Sequence, residues 1–152
     1  MIREPLAYVA SDRPFVVRQT VKWSDCDPAG VVYTGVFVDY VTTAFRAFLR
    51  SALDGNVEDF VRAENVDFPA KAISFVFDSS LRPDEKFDIR VAVAAIKNTT
   101  FETVFTGTTA RDEACFTGRM TTICVSPADR HAIRVPDALR RILEPFLLAP
   151  AA

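Results

Sequence analysis

The sequence predicts an α+β domain in which an antiparallel β-sheet of about five strands wraps one long helix. Two patterns lead to this class. In residues 36–51, Phe37, Val41, Ala44, Phe45, Phe48 and Leu49 recur at helical spacing, with Asp39, Thr42, Thr43, Arg46 and Arg50 on the opposite stripe. From about residue 66 onward the period changes to two, in short runs separated by turn-forming residues. The chain has 152 residues, 49 % of them apolar, which suffices for a single domain with a true core.

The elements follow in order. Residues 14–22 are rich in β-branched and aromatic side chains and predict a first strand. Trp23–Gly30 is polar and interrupted by Pro28 and Gly30, so it predicts a loop. The long helix has Gly35 just ahead of it and Gly55 just past it, where a stop is expected. Alternating runs then appear at Ile73–Phe77, Phe87–Val93, Phe101–Phe105 and 119–126. The turns at Arg82–Glu85, Lys97–Thr100 and Arg111–Ala114 are short, which predicts an antiparallel meander of about four strands. Pro136 opens a last short helix, about Asp137–Leu147, cut by Pro145. Residues 1–13 and the last few are expected to be loose ends, leaving one domain over 14–148. One helix covers one face of such a sheet. The other face is expected to remain largely apolar, so a second copy of the chain is expected to cover the rest, by edge pairing or face packing, as a dimer or a dimer of dimers.

Composition excludes several functions. Lys plus Arg number 18 and Asp plus Glu 20, so no strongly basic face is expected and nucleic acid is not an expected partner. No run is long and apolar enough for a membrane helix, and Met1–Pro5 lacks the apolar stretch of a secretory signal, so a cytoplasmic location is expected. Three cysteines (Cys26, Cys115, Cys124) without a CxxC and a single histidine, His131, argue against a disulfide framework or a zinc site. The five glycines form neither of the usual phosphate-cradling motifs. Neither a cofactor nor a metal is expected; Asp25 and Asp27 alone make a poor cage.

The segment Asp25-Cys-Asp-Pro-Ala-Gly-Val-Val-Tyr33 carries the chemistry. It sets two carboxylates in a loop that leads into a nearly apolar helix. A helix start offers unpaired N–H groups and the positive end of the dipole, which stabilise an oxyanion without a charged side chain. With a carboxylate facing the same spot, the arrangement suits acyl hydrolysis, Asp27 attacking the carbonyl or activating a water. The residues leave both routes open.

This segment, with Tyr40 and Arg46, resembles the hotdog-fold 4-hydroxybenzoyl-CoA thioesterases whose catalytic Asp lies in a DxDPAG loop. Phe75-Val-Phe77, the Leu81-Arg-Pro-Asp-Glu85 turn and Ala132–Pro136 occur in the matching order. The resemblance implies a hotdog fold and hydrolysis of acyl-CoA thioesters, aromatic ones such as 4-hydroxybenzoyl-CoA or short-chain ones. It implies that Asp27 is the catalytic carboxylate and that the N–H of Thr34, where the family has a larger residue, binds the thioester oxygen. It also implies a site between two subunits and CoA phosphates on basic side chains, of which Lys97 is here alone in its turn. Gly30, Tyr33, Gly35, Tyr40 and Phe68 are the further candidates for the substrate side.

Other residues have plainer readings. Asp25 reads as the side chain that holds the loop through backbone N–H bonds. Cys26 has no histidine nearby and reads as a small apolar filler. His131 reads as solvated, and Phe75, Phe77, Phe101 and Phe105 as core; Tyr40 fits core or pocket. The competing functions are a non-catalytic acyl-thioester binder and a hotdog-type enoyl-thioester hydratase, which would need an imidazole at the loop.

Overall fold

A computed structural model describes residues 4–149. Six strands, β1 (Ala7–Asp12), β2 (Phe15–Thr20), β3 (Ala70–Phe77), β4 (Lys86–Ile96), β5 (Thr100–Thr109) and β6 (Ala114–Ile123), form one antiparallel sheet in the order β1-β2-β4-β5-β6-β3. Three helices accompany it: α1 (Val36–Ala52), α2 (Val57–Glu64) and α3 (Asp137–Leu143).

The sheet curves around α1, and the fit is made ring by ring. Phe48 meets Phe15 of β2 at 5.5 Å, Tyr40 meets Phe87 of β4 at 5.2 Å, Phe45 meets Phe101 of β5 at 6.2 Å, and Phe37 meets Phe116 of β6 at 5.2 Å between centroids. The helical stripe read from the sequence is therefore the stripe the sheet encloses, and Phe37, Tyr40, Val41, Ala44, Phe45, Phe48 and Leu49 are all buried. Aromatic pairs of this kind add roughly 0.5–1.5 kcal/mol each beyond the area they bury.

Several elements differ from these expectations. The sheet has six strands, because Ala7–Asp12, expected to be loose, pairs with β2 from Ala7↔Gln19 to Asp12↔Phe15. Its side chains are half-buried or exposed without alternation, so main-chain pairing rather than an apolar pattern makes it a strand. Residues 1–3 and 150–152 of the expected loose ends lie outside the described residues. The helix 36–51 is not alone: α2 is capped by the Asn56 side chain, which accepts N–H bonds from Glu58 and Asp59, and it ends at Asn65 in a left-handed conformation. Val57 is buried and Phe60 and Val61 are half-buried, a helical stripe of spacing i, i+3, i+4 that spans only two turns. The expected meander holds for β4, β5 and β6 but not for β3, which crosses the molecule to pair with β6. Both sides of β4 are already taken, by β2 and β5. The last helix is shorter than expected: α3 ends at Leu143, and a 3₁₀ turn follows over Glu144–Phe146 around Pro145.

The outer face of the sheet is not the apolar surface expected. Arg18 and Asp88 stand opposite each other across β2 and β4 and pair at 2.7 Å, Arg90 faces Thr106, and Arg119 bonds Glu102. Exposed apolar side chains instead gather on the β3 edge, where Ile73, Val76 and Phe77 are 39 %, 64 % and 46 % exposed, with others such as Val9 on β1.

Candidate active site

The loop ahead of α1 is built on Asp25. Its side chain is buried, and Oδ2 accepts the Lys22 N–H at 3.0 Å and the Tyr40 O–H at 2.7 Å. The Lys22 ammonium lies 3.7 Å from Oδ1. A buried carboxylate must be satisfied in this way, and here the donors come from both sides of the loop. Burial first, and the bond to Asp25 second, push the Tyr40 phenol far above its ordinary range, so it remains a donor. The carbonyl of Asp25 takes the Tyr33 N–H at 3.0 Å.

Beyond this anchor the chain turns tightly. The Asp27 N–H donates to Val31 O at 3.0 Å, and the Gly30 N–H to Asp27 O at 2.9 Å. Gly30 sits at φ +80°, which a side chain would strain. Oδ1 of Asp27 accepts the Ala29 N–H at 2.8 Å, an Asx turn that fixes the carboxylate's direction. Among the described residues, its Oδ2 has no hydrogen-bond partner. The Val32 N–H then reaches Leu81 O at 2.8 Å, tying the loop to the connection between β3 and β4.

At the start of α1, Val36 and Phe37 already donate their N–H groups to Tyr33 O and Thr34 O. Among the described residues, the N–H groups of Thr34 and Gly35 have no acceptor. Asp27 and Thr34 line one cavity of about 360 Å³. Its apolar wall is Val31, Val32, Phe37, Phe77 and Leu81; Asp78, Ser79 and Ser80 complete it. A larger cleft, about 760 Å³ between α1 and α2, contains the Arg46–Glu58 pair but none of these free helix-start N–H groups.

Sequence reasoning brought Asp27, Thr34, Gly30, Tyr33 and Gly35 to one loop and helix start, and the structure keeps them there. Tyr33 is 57 % exposed, and its ring lies over Gly35, where an added Cβ would sit 2.7 Å from it. Three other candidates lie elsewhere. Tyr40 is core and anchors Asp25 rather than facing the cavity. Phe68 packs against Phe60 and Phe101. Lys97 is exposed at the far end of β4, since the loop docks beside Lys86 at the near end. Phe77–Leu81 was missed as a wall; its signal was the Leu81–Glu85 turn, but only the β3 crossover brings it to the loop.

Cys26 is a poor nucleophile here. Burial, then the charges of Asp25 and Asp27, push its thiol upward, away from thiolate. His131 is exposed and lies 3.7 Å from Asp129, outside the cavity. Among the described residues no three His, Cys, Asp or Glu side chains gather as a metal site, and no helix is long and apolar enough to cross a membrane.

The model of the thioesterase-like superfamily matches residues 21–143, and the chain belongs to that superfamily. No curated protein sequence matches it. Among solved structures, a thioesterase superfamily protein from Jannaschia sp. CCS1 superposes with TM-score 0.82 at 23 % identity, covering 97 % of this chain and 100 % of that one. The 1,4-dihydroxy-2-naphthoyl-CoA thioesterase from Synechocystis gives 0.77 at 16 % identity, covering 85 % and 94 %. A gentisyl-coenzyme A thioesterase gives 0.71 at 17 % identity, covering 84 % and 98 %. The six-stranded sheet around α1 is the hotdog fold these structures share.

Proposed function

We propose that the protein hydrolyses acyl-CoA thioesters at the cavity between the Asp25–Gly30 loop and the start of α1. The observation that carries this reading is the placement of the Asp27 carboxylate, with one free oxygen, in the same cavity as the unpartnered N–H of Thr34. The thioester oxygen accepts the Thr34 N–H, and the helix dipole favours the charge that grows on it. In one route Asp27 attacks the carbonyl carbon, the C–S bond breaks, CoA leaves as thiolate, and water opens the mixed anhydride. In the other, Asp27 takes a proton from water as its oxygen adds to the carbonyl, and the departing thiolate recovers that proton. The acyl group is aromatic, 4-hydroxybenzoyl among the candidates, or short-chain. The apolar wall of Val32, Phe37 and Phe77 is compatible with both.

The test is Asp27→Asn. Asn keeps the acceptor for the Ala29 N–H, so folding should be preserved while free-thiol release from a panel of aryl- and alkyl-CoA esters falls at least a hundredfold, the scale expected for a lost nucleophile or base. Turnover at the normal rate would falsify the assignment. Repeated cycling in isotopically labelled water separates the routes, because only direct attack leaves heavy oxygen in Asp27.

The exposed apolar edge of β3 supports a homo-oligomer in which a second copy pairs along that edge. Val76→Lys should shift the sedimenting species toward the monomer; an unchanged distribution would refute pairing there.

A further inference from the structure

Two side chains beside the loop remain unexplained by the chemistry at Asp27. Trp23, the only tryptophan of the chain, is 84 % exposed on the 3₁₀ turn that opens the loop. Arg82 is exposed, and its Nη1 lies 3.9 Å from where a Cβ on Gly30 would stand. The sheet brings the two segments that carry them to the same end of the β2–β4 pair. Val21 donates its N–H to Glu85 O and accepts that of Asp84, continuing the β2–β4 ladder past Thr20↔Lys86. Trp23 follows Val21 by two residues and Arg82 precedes Asp84 by two, so both leave the sheet at the end where the Asp27 loop docks. Asp84 and Glu85 share the turn with Arg82. Yet among the described residues no carboxylate comes within ion-pair distance of its guanidinium, whereas Lys22, on the same rim, is 3.7 Å from Asp25. An exposed indole is a flat surface on which a base stacks, and a free guanidinium is a fork for phosphate.

Resting on the reading of the loop as a thioesterase site, we propose that Trp23 and Arg82 bind the nucleotide end of the substrate. The adenine stacks on Trp23, and a phosphate pairs with Arg82. The protein thereby selects acyl groups carried on coenzyme A over those on a bare pantetheine arm, such as an acyl carrier protein presents. Lys97, at the far end of β4, takes no part in this contact within one chain.

The sole tryptophan gives a direct readout. Adding CoA to the native protein should change Trp23 emission in a saturable way, and pantetheine, which has no nucleotide, should not. Arg82→Ala should weaken the half-saturating CoA concentration about tenfold, and Arg82→Lys should recover part of that loss. In steady-state assays the ratio of kcat/KM for an acyl-CoA to that for the matching N-acetylcysteamine thioester should fall about tenfold in Trp23→Ala and in Arg82→Ala. The proposal is overturned by emission that CoA leaves unchanged, by an equal response to pantetheine, or by a ratio that neither variant moves. Blue-shifted emission that follows protein concentration instead of CoA also overturns it, because a second copy would then cover Trp23. If no thioester of either kind is hydrolysed, the thioesterase reading fails, and the CoA titration still decides whether the rim binds a nucleotide.

Discussion

Tyr40→Phe removes one oxygen from the core and tests what holds the Asp27 loop. The phenol donates to Asp25 Oδ2 at 2.7 Å, and both residues are buried. Without it, that carboxylate keeps one N–H, from Lys22 at 3.0 Å, and an ammonium at 3.7 Å. A hydrogen bond to a charged group contributes about 1.5–3 kcal/mol. The phenylalanine ring still packs on Phe87 at 5.2 Å and Phe37 at 5.7 Å, so little packing is lost to offset or enlarge this. The expected cost is about 2 kcal/mol, which for a chain of this size lowers Tm by roughly 4–8 °C. Urea unfolding measures it, and a double-mutant cycle with Asp25→Asn should return a coupling of about 1 kcal/mol or more. Asp27 lies two residues beyond Asp25, so kcat should also fall, about tenfold, with KM nearly unchanged. A stability change below about 0.5 kcal/mol with kcat intact would show that the Tyr40–Asp25 bond does not hold the loop.

Two further outcomes follow from the core. At Gly107 an added Cβ would meet the Phe116 ring at 2.3 Å and Cys115 Sγ at 2.9 Å, so Gly107→Ala should cost about 1–3 kcal/mol in a denaturant titration; a neutral result would mean that the Phe116 ring moves freely, against its contact with Phe37. Burial pushes the Cys115 and Cys124 thiols up to about 11 from 9.0. The folded state therefore retains protons that the unfolded chain releases. Stability from these groups is full below pH 9 and is lost as pH rises toward 11, about 1–2 kcal/mol apiece by pH 10.5. Denaturation at pH 8 and 10.5 should show this loss, smaller in a Cys115→Ala/Cys124→Ala variant; equal losses would mean the thiols are not what responds.

Local chemistry made much of the site readable. The Asp25–Tyr33 segment contains its own turn formers and its own helix start, so Asp27, Gly30 and Thr34 are neighbours by chain length alone. Asp25 as the loop's holder was likewise legible, since its backbone donors lie within a few residues. Phe68 and Lys97 lie away from the loop within one chain, and their place was not legible for the opposite reason. Their distance from the loop depends on which strands pair, and no local pattern encodes that. The same ignorance hid Phe77–Leu81, which reaches the cavity only because β3 crosses to the far side of β6.

The sequence by itself determined the buried stripe of α1, the β4–β5–β6 meander and the turn of the Asp25–Tyr33 loop into α1, because each rests on periodicity or turn chemistry within about a dozen residues. Tertiary structure decided the place of β3, the pairing of β1, the polar outer face and the donor that Tyr40 lends to Asp25. Those depend on main-chain bonds and ring contacts between distant segments, whose energies exist only once the sheet has closed around the helix.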